Sequence, residues 1–209
     1  MLKGRRFFIC AVILSLLVIG AAASGCAGGR PAGTILYTQS NQGVFLLLAD
    51  HRPPSTRGWG SFGGKPEAGE TPAETAARET EEETRGCFRR TAILAAIGDR
   101  QPVYDGRYAQ FFVQVDYVPV DAIARAGVPP DDPVYAERGP WAWVPYGEIQ
   151  RLLEMVDSGA PLRIDARYLP ANAHTDWVWS NWLRSLRKAI DQGVIPWEAK
   201  TVEATATEP

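Results

Sequence analysis

A chain of 209 residues, 45% of them hydrophobic and 22% charged, carries enough apolar material for one globular domain with its own core, which excludes a disordered or fibrous chain. Its 22 basic and 24 acidic side chains leave a formal net charge of -2, so no long-range field draws it to nucleic acid or to an anionic membrane surface. Polymeric nucleic acid is therefore not an expected partner.

In chain order, the first segment reads as a secretory signal. Lys3, Arg5 and Arg6 precede an apolar run from Phe7 to Ala23, and the small residues Ala23, Ser24 and Gly25 stand directly before Cys26. The run is shorter than the ~20 apolar residues of a spanning helix and ends in alanines and glycine, which disfavours a permanent membrane helix. The tetrapeptide Ala-Ser-Gly-Cys resembles the lipobox of bacterial lipoproteins, with alanine where leucine is usual. That resemblance implies cleavage before Cys26, lipidation of its thiol, export, and a lipid anchor in the bacterial cell envelope. Two alternatives stand beside it: an ordinary cleaved signal with a chance cysteine, and a cytoplasmic protein whose true start lies near Thr34. Cys10 would leave with the signal, and Cys87 has no cysteine to pair with if Cys26 is acylated.

Residues 26–33, rich in glycine, read as a tether. Thr34–Thr38 and Val44–Ala49 look like two strands joined by a hairpin, and His51–Gly64 like a Pro- and Gly-rich loop. A helix is expected from Pro72 to about Arg85, then strands at Thr91–Ile97, Tyr108–Val118 and Trp141–Val144. Tyr146–Val156 and Asp176–Ile190 carry helical spacing, the second with Trp179, Trp182, Leu183, Leu186 and Ile190 on one face as a packing stripe. The expected organisation is thus signal 1–25, tether 26–33, a domain at 34–155, a helical extension at 156–198 and a disordered tail at 199–209.

The stretch Gly63 to Cys87 carries the chemistry. Thr71-Pro72-Ala73-Glu74 is a capping box with proline at the first helical position, and Gly86 is a natural helix stop. At about 100° per residue, Ala73, Ala77, Thr80 and Thr84 form a narrow small-residue face suited to close packing on a sheet. Glu79, Glu82 and Glu83, at i, i+3 and i+4, share another face with no Lys or Arg in its middle, and like charges at these spacings repel. A divalent cation with oxygen ligands is the expected compensation.

This segment resembles the Nudix box: glycine, five residues, glutamate, seven residues, Arg-Glu, an apolar residue, any residue, Glu-Glu, any residue, then glycine and an apolar residue. Gly64, Glu70, Arg78, Glu79, Glu82 and Glu83 fall in register. Thr80 departs at the aliphatic position, and Arg85 stands at the final glycine position, where it is expected to lengthen the helix by one residue. The resemblance covers about Thr34 to Leu153 and implies an α/β/α sandwich around a mixed sheet, followed by a C-terminal helical extension.

It also implies roles. Glu79, Glu82 and Glu83, with the Gly63 carbonyl, would bind one to three Mg²⁺ or Mn²⁺ ions, and Glu70 and Arg78 would form an ion pair holding loop to helix. The general base would be Glu83 or the loop residue Glu137, and Glu82 would share the catalytic duty of the helix. The implied reaction is metal-dependent hydrolysis of a phosphoanhydride bond in a nucleoside diphosphate derivative or related small nucleotide-type compound. The alternative is a silent domain that serves as a nucleotide sensor or envelope scaffold. His51 and His174 lack metal-ligand spacing and are expected in structural or exposed loop positions, and Ser61 has no histidine to activate it. Pro102 and Tyr104 both fall where the family's substrate cues lie, so substrate identity stays open. Arg52, Arg57 and Arg107 are candidate phosphate contacts.

Overall fold

The computed structural model describes residues 29–127 and 133–198. The signal, Cys26 and the tail at 199–209 lie outside the described residues. Seven strands form one mixed sheet: β1 (Ala32–Ser40), β2 (Gly43–His51), β3 (Trp59–Gly60), β4 (Phe62–Gly64), β5 (Val103–Asp105), β6 (Tyr108–Gln114) and β7 (Arg138–Pro145). The main order is β3-β2-β1-β6-β5, with β4 on β1 and β7 on β2; β1 and β6 run parallel, and the remaining pairs are antiparallel.

Both faces of the central strands are buried, which is why they read as unbroken apolar runs rather than alternating ones. Ile35, Tyr37, Leu46 and Leu48 point into one core, and Leu36, Leu47 and Ala49 into the other. The first core is closed by α4 (Tyr146–Met155) and α5 (Ser180–Asp191), through Ile149, Leu152, Trp182, Leu183 and Leu186. The second is closed by α1 (Pro72–Glu83), α2 (Arg90–Ile97) and α3 (Val120–Ala124), through Ala76, Ala77, Ile93, Ile97 and Ile123. The architecture is the α/β/α sandwich.

Four expectations are corrected. The tether ends before Gly33, because Ala32 is fully buried and paired with both Gly64 and Ala109. Thr91–Ile97 lies in a helix: Ile93 and Ile97, one turn apart, are the buried pair, and alanines fill the positions around them. A short apolar run does not distinguish the two periods. The segment expected as a strand to Val118 pairs only to Gln114, with Val115 N–H reaching the Tyr37 carbonyl one step further. Within the extension, α-helix starts only at Ser180. Ahead of it Trp177 and Trp179 bracket Trp59 with backbone hydrogen bonds of 2.8 and 2.9 Å, and Ala166–Tyr168 makes one 3₁₀ turn. Among the described residues no helix is long and apolar enough to cross a membrane.

Candidate active site

α1 starts at a reciprocal cap. Thr71 Oγ1 accepts from Glu74 N–H at 3.3 Å, and the Glu74 carboxylate accepts from Thr71 N–H at 2.8 Å, with Pro72 at the first turn. It ends on Thr84 rather than lengthening through Arg85. Arg85 takes φ 56°, its N–H bonds the Glu82 carbonyl, and Gly86 N–H bonds the Glu81 carbonyl. That is a Schellman end with arginine in the left-handed position that glycine usually fills.

Ala76, Ala77, Thr80 and Thr84 are buried on the sheet side of α1. Thr80 has more than a packing role. Its hydroxyl donates to the Ala76 carbonyl at 2.6 Å and stands 2.8 Å from Thr34 Oγ1, so the Thr34 hydroxyl is the donor between the two. This polar peg joins the helix to β1.

On the other side, Arg78 folds across the acidic face that was expected to lack a basic group. Its Nε meets Glu70 at 3.0 Å, Nη1 meets Glu82 at 2.8 Å, and Nη2 meets Glu79 at 2.9 Å and the Lys65 carbonyl at 2.8 Å. Burial opposes the charge on Glu70, but the Arg78 bond and the Glu67 N–H outweigh it and hold its carboxyl low. Burial lifts Glu79, and it lifts Glu82 to about 7 in spite of Arg78.

Glu83 lies apart from that cluster and is almost wholly buried. One oxygen accepts from Gly63 N–H at 2.9 Å and the other faces Arg138 Nη1 at 3.3 Å. Burial raises its carboxyl to about 7, with Arg138 and the Gly63 N–H pulling the other way. Arg138, at the start of β7, is 2% exposed. Its Nη2 donates to the carbonyls of Ala49 in β2, Gly60 in β3 and Ser61 just after it, each at 3.0 Å, and so ties both strands to β7 through one guanidinium. Nη1 also donates to His51 Nε2 at 2.7 Å, and His51 Nδ1–H donates to the Gly58 carbonyl at 2.7 Å. Burial, then the adjacent Arg138 charge, lower the His51 pKa to about 3, so the ring is neutral and acts as an acceptor for arginine.

These groups surround a cleft of about 910 Å³ whose walls include His51, Arg52, Arg57, Gly63, Gly64, Lys65, Glu79, Glu83, Glu137 and Arg138. The backbone approaches α1 closely enough that a Cβ on Gly64 would stand 2.4 Å from Glu79 Oε1, while one on Gly63, at φ 147°, would meet the Ala32 carbonyl at 2.6 Å. Of the sequence candidates, Glu79, Glu83, Gly63 and Glu137 share this cleft, with Glu137 exposed at its edge; Glu82 joins them through Arg78 and Glu70 lies behind. Arg52 and Arg57 line it. Arg107 does not, and Pro102 and Tyr104 line a separate cleft beside α2. His174 packs against Asp50, whose carboxylate accepts from its backbone N–H at 3.1 Å.

The NUDIX domain model matches residues 29–163. The chain belongs to the Nudix family. Over 105 residues this Nudix chain is 35% identical to an octanoyltransferase of Myxococcus xanthus, covering 47% of the chain and 26% of that protein, so it spans about a quarter of that relative's length. Among solved structures, an Ap4A hydrolase binary complex from C. elegans aligns at 15% identity with TM-score 0.37, over 78% of this chain and 99% of that one. A Nudix hydrolase from M. smegmatis aligns at 19% identity with TM-score 0.28, over 52% of this chain and 80% of that one.

Sequence reasoning missed Arg138 and the hydroxyl of Thr34, and it had His51 as a structural or exposed loop residue, whereas it ends β2 and holds Arg138. A lone arginine beside an apolar strand has the look of surface charge, and nothing local in Glu137-Arg138-Gly139 says that β2, β3 and the residue after β3 deliver carbonyls to it.

Proposed function

We propose that this Nudix protein hydrolyses a phosphoanhydride bond in a nucleoside diphosphate derivative or related compound, using Mg²⁺ or Mn²⁺. Family membership supports a hydrolase of diphosphate linkages in general; the observation that carries the finer reading is the cleft over α1. Its floor holds Glu79 and Glu83, and its rim holds Arg52, Arg57 and Lys65.

A divalent cation fits the donor set. Among the described residues, Glu70, Glu79, Glu82, Glu83 and Glu137 gather around the guanidinium groups of Arg78 and Arg138, with Arg90 3.4 Å from Glu70 behind them, and burial lifts Glu82 and Glu83 to about 7, so the negative charge they carry when ionised is under-compensated. All are hard oxygen donors. In the present arrangement no three His, Cys, Asp or Glu side chains among the described residues stand together as a ready ligand set. Arg78 and Arg138 hold the carboxylates instead. Glu79, Glu82 and Glu83, with the Gly63 carbonyl, are the ligands we propose, reached by turning Glu79 and Glu82 away from Arg78. The bound cation would offset charge developing on the diphosphate and lower the pKa of an attacking water.

The remaining steps belong to the protein's own groups. Arg52, Arg57 and Lys65 orient the diphosphate. Arg138 and Gly63 N–H fix Glu83, and with both its oxygens engaged Glu83 serves as ligand rather than base. Glu137, exposed on the cleft wall, is the base we propose, taking the proton of the water. From the sequence alone we also propose that the mature chain is exported and anchored through lipid on Cys26; Cys26→Ser should release it from the membrane fraction.

The test is hydrolysis by the purified full-length chain of nucleoside triphosphates, ADP-ribose, nucleotide sugars and dinucleoside polyphosphates, with Mg²⁺, with Mn²⁺ and with chelator. Metal-dependent turnover is expected, lost in Glu83→Gln together with metal affinity, and reduced in Glu137→Gln with metal affinity retained. A folded chain that turns over nothing on the panel defeats the proposal.

A further inference from the structure

A second pocket, of about 410 Å³, lies beside the cleft over α1 and has His51, Pro53 and Ser55 in common with it. Both are open to solvent, so one ligand can lie across the border that these three residues form. The far side of the second pocket comes from the C-terminal extension, through His174, Thr175 and Trp177.

That wall is fixed in place. The Trp59 indole N–H donates to the Thr175 carbonyl at 2.7 Å, and the Trp59 backbone N–H donates to the Trp177 carbonyl at 2.8 Å. The fully buried Asp50 carboxylate accepts from the His174 N–H at 3.1 Å. Val178, paired with Trp59, turns into the core, and the alternation of an extended segment sends Trp177 the other way, where it is 43% exposed. Arg163, itself held by Asp176 at 2.9 and 3.0 Å, lies 4.3 Å from the Trp177 ring centroid. The indole is thus braced by a guanidinium and still offers aromatic surface to a ligand. A ring already held in position loses little freedom when a second planar group stacks on it.

We propose that Trp177 is the platform on which the heterocyclic base of the substrate stacks. The ribose then crosses the border at His51 and Ser55, and the diphosphate lies in the cleft, where Arg52, Arg57 and Lys65 stand. The inference rests on the function proposed above. The pocket is within the roughly 300–1,000 Å³ of small-molecule sites, enough for a base with its ribose. Stacking engages the flat face of a ring rather than its edge, so the site asks for a base without selecting a particular one.

Calorimetry of the full-length chain with Mg²⁺ compares AMP with ribose 5-phosphate. Neither contains a phosphoanhydride, so binding is read without turnover. AMP binds at least about fivefold more tightly, the lower end of what stacking one base contributes. Trp177→Ala brings AMP to the level of ribose 5-phosphate while melting stays within a few degrees of wild type, and Trp177→Phe keeps most of the difference. No preference for AMP in the wild type, or a preference that survives Trp177→Ala, overturns the inference. Either result beside intact metal-dependent hydrolysis leaves the enzyme standing with its base bound elsewhere. A preference that depends on Trp177, beside no hydrolysis of any compound on the panel, upholds this site and defeats the enzyme.

Discussion

Replacing Arg138 by leucine removes one partner of a buried pair, Arg138 and Glu83, at 2% and 5% exposure. Breaking such a pair costs about 3–5 kcal/mol, because the surviving charge is left in an apolar setting. The three carbonyls of Ala49, Gly60 and Ser61 lose their shared donor at the same time, at about 1–3 kcal/mol. The losses overlap, so a total near 4 kcal/mol is expected at pH 8, or a fall in melting temperature of roughly 10 °C for a chain of this size. The cost depends on pH, and its sign follows from Glu83. Its folded pKa is raised to about 7 with Arg138 present, so its contribution to stability is full in acid and is lost as pH rises through 7. Without Arg138 that pKa rises further and the loss on ionisation grows. The gap between wild type and Arg138→Leu therefore widens from pH 5, where Glu83 is protonated in both and only the carbonyl bonds are missing, to pH 8. Urea unfolding followed by tryptophan fluorescence in chelator measures both gaps. An equal gap at the two pH values would refute the ion-pair reasoning.

The other expectations concern the helix and its face. Gly64→Ala sets a Cβ 2.4 Å from the Glu79 carboxylate, the movable end of a side chain, so melting stays within a few degrees while Mg²⁺ affinity by calorimetry drops at least about tenfold; unchanged affinity would exclude Glu79 as a ligand. Thr80→Val deprives the Thr34 hydroxyl of its acceptor and costs about 1–3 kcal/mol in urea unfolding, most of it recovered in the Thr34→Val, Thr80→Val double variant; additive losses would count against the peg. Glu82 and Glu83, both held near 7 by burial, must ionise before they can ligate, so Mg²⁺ raises the melting temperature at pH 8 and has little effect at pH 5.5. Equal stabilisation at the two values would mean the cation binds elsewhere.

What the sequence made legible were features whose cause is local. The cap at Thr71, the small-residue face of α1 and the acidic face beside it follow from spacing on one helix, and the hairpin of β1 and β2 follows from two apolar runs around a short polar turn. α2 was misread because eight apolar-rich residues fit either period, and only the burial of Ile93 and Ile97 against the rest of the fold decides between them. Trp177–Trp179 was misread as helix for a related reason: its backbone groups are claimed by Trp59, more than a hundred residues earlier in the chain. The charge balance was illegible in the same way. Arg138 reaches Glu83 across 55 positions and Ala49 across 89, separations at which no local pattern carries information.

The two arginines also divide the acidic site into parts with different duties. Arg138 is sealed in by three carbonyls and cannot leave Glu83 without breaking the junction of β2, the β3–β4 segment and β7, so Glu83 is held fixed. Arg78 is a fork with four partners, of which Glu79 and Glu82 are its bonds to the proposed ligands and Glu70 and the Lys65 carbonyl its bonds to the preceding loop. If a cation draws Glu79 and Glu82 away, Arg78 still clamps the loop through the other two, and Gly63 and Gly64 keep their places over the helix. One guanidinium thereby neutralises the acidic face as it stands and would preserve its geometry if the proposed cation bound, so a helix carrying glutamates at i, i+3 and i+4 could keep its place in either case.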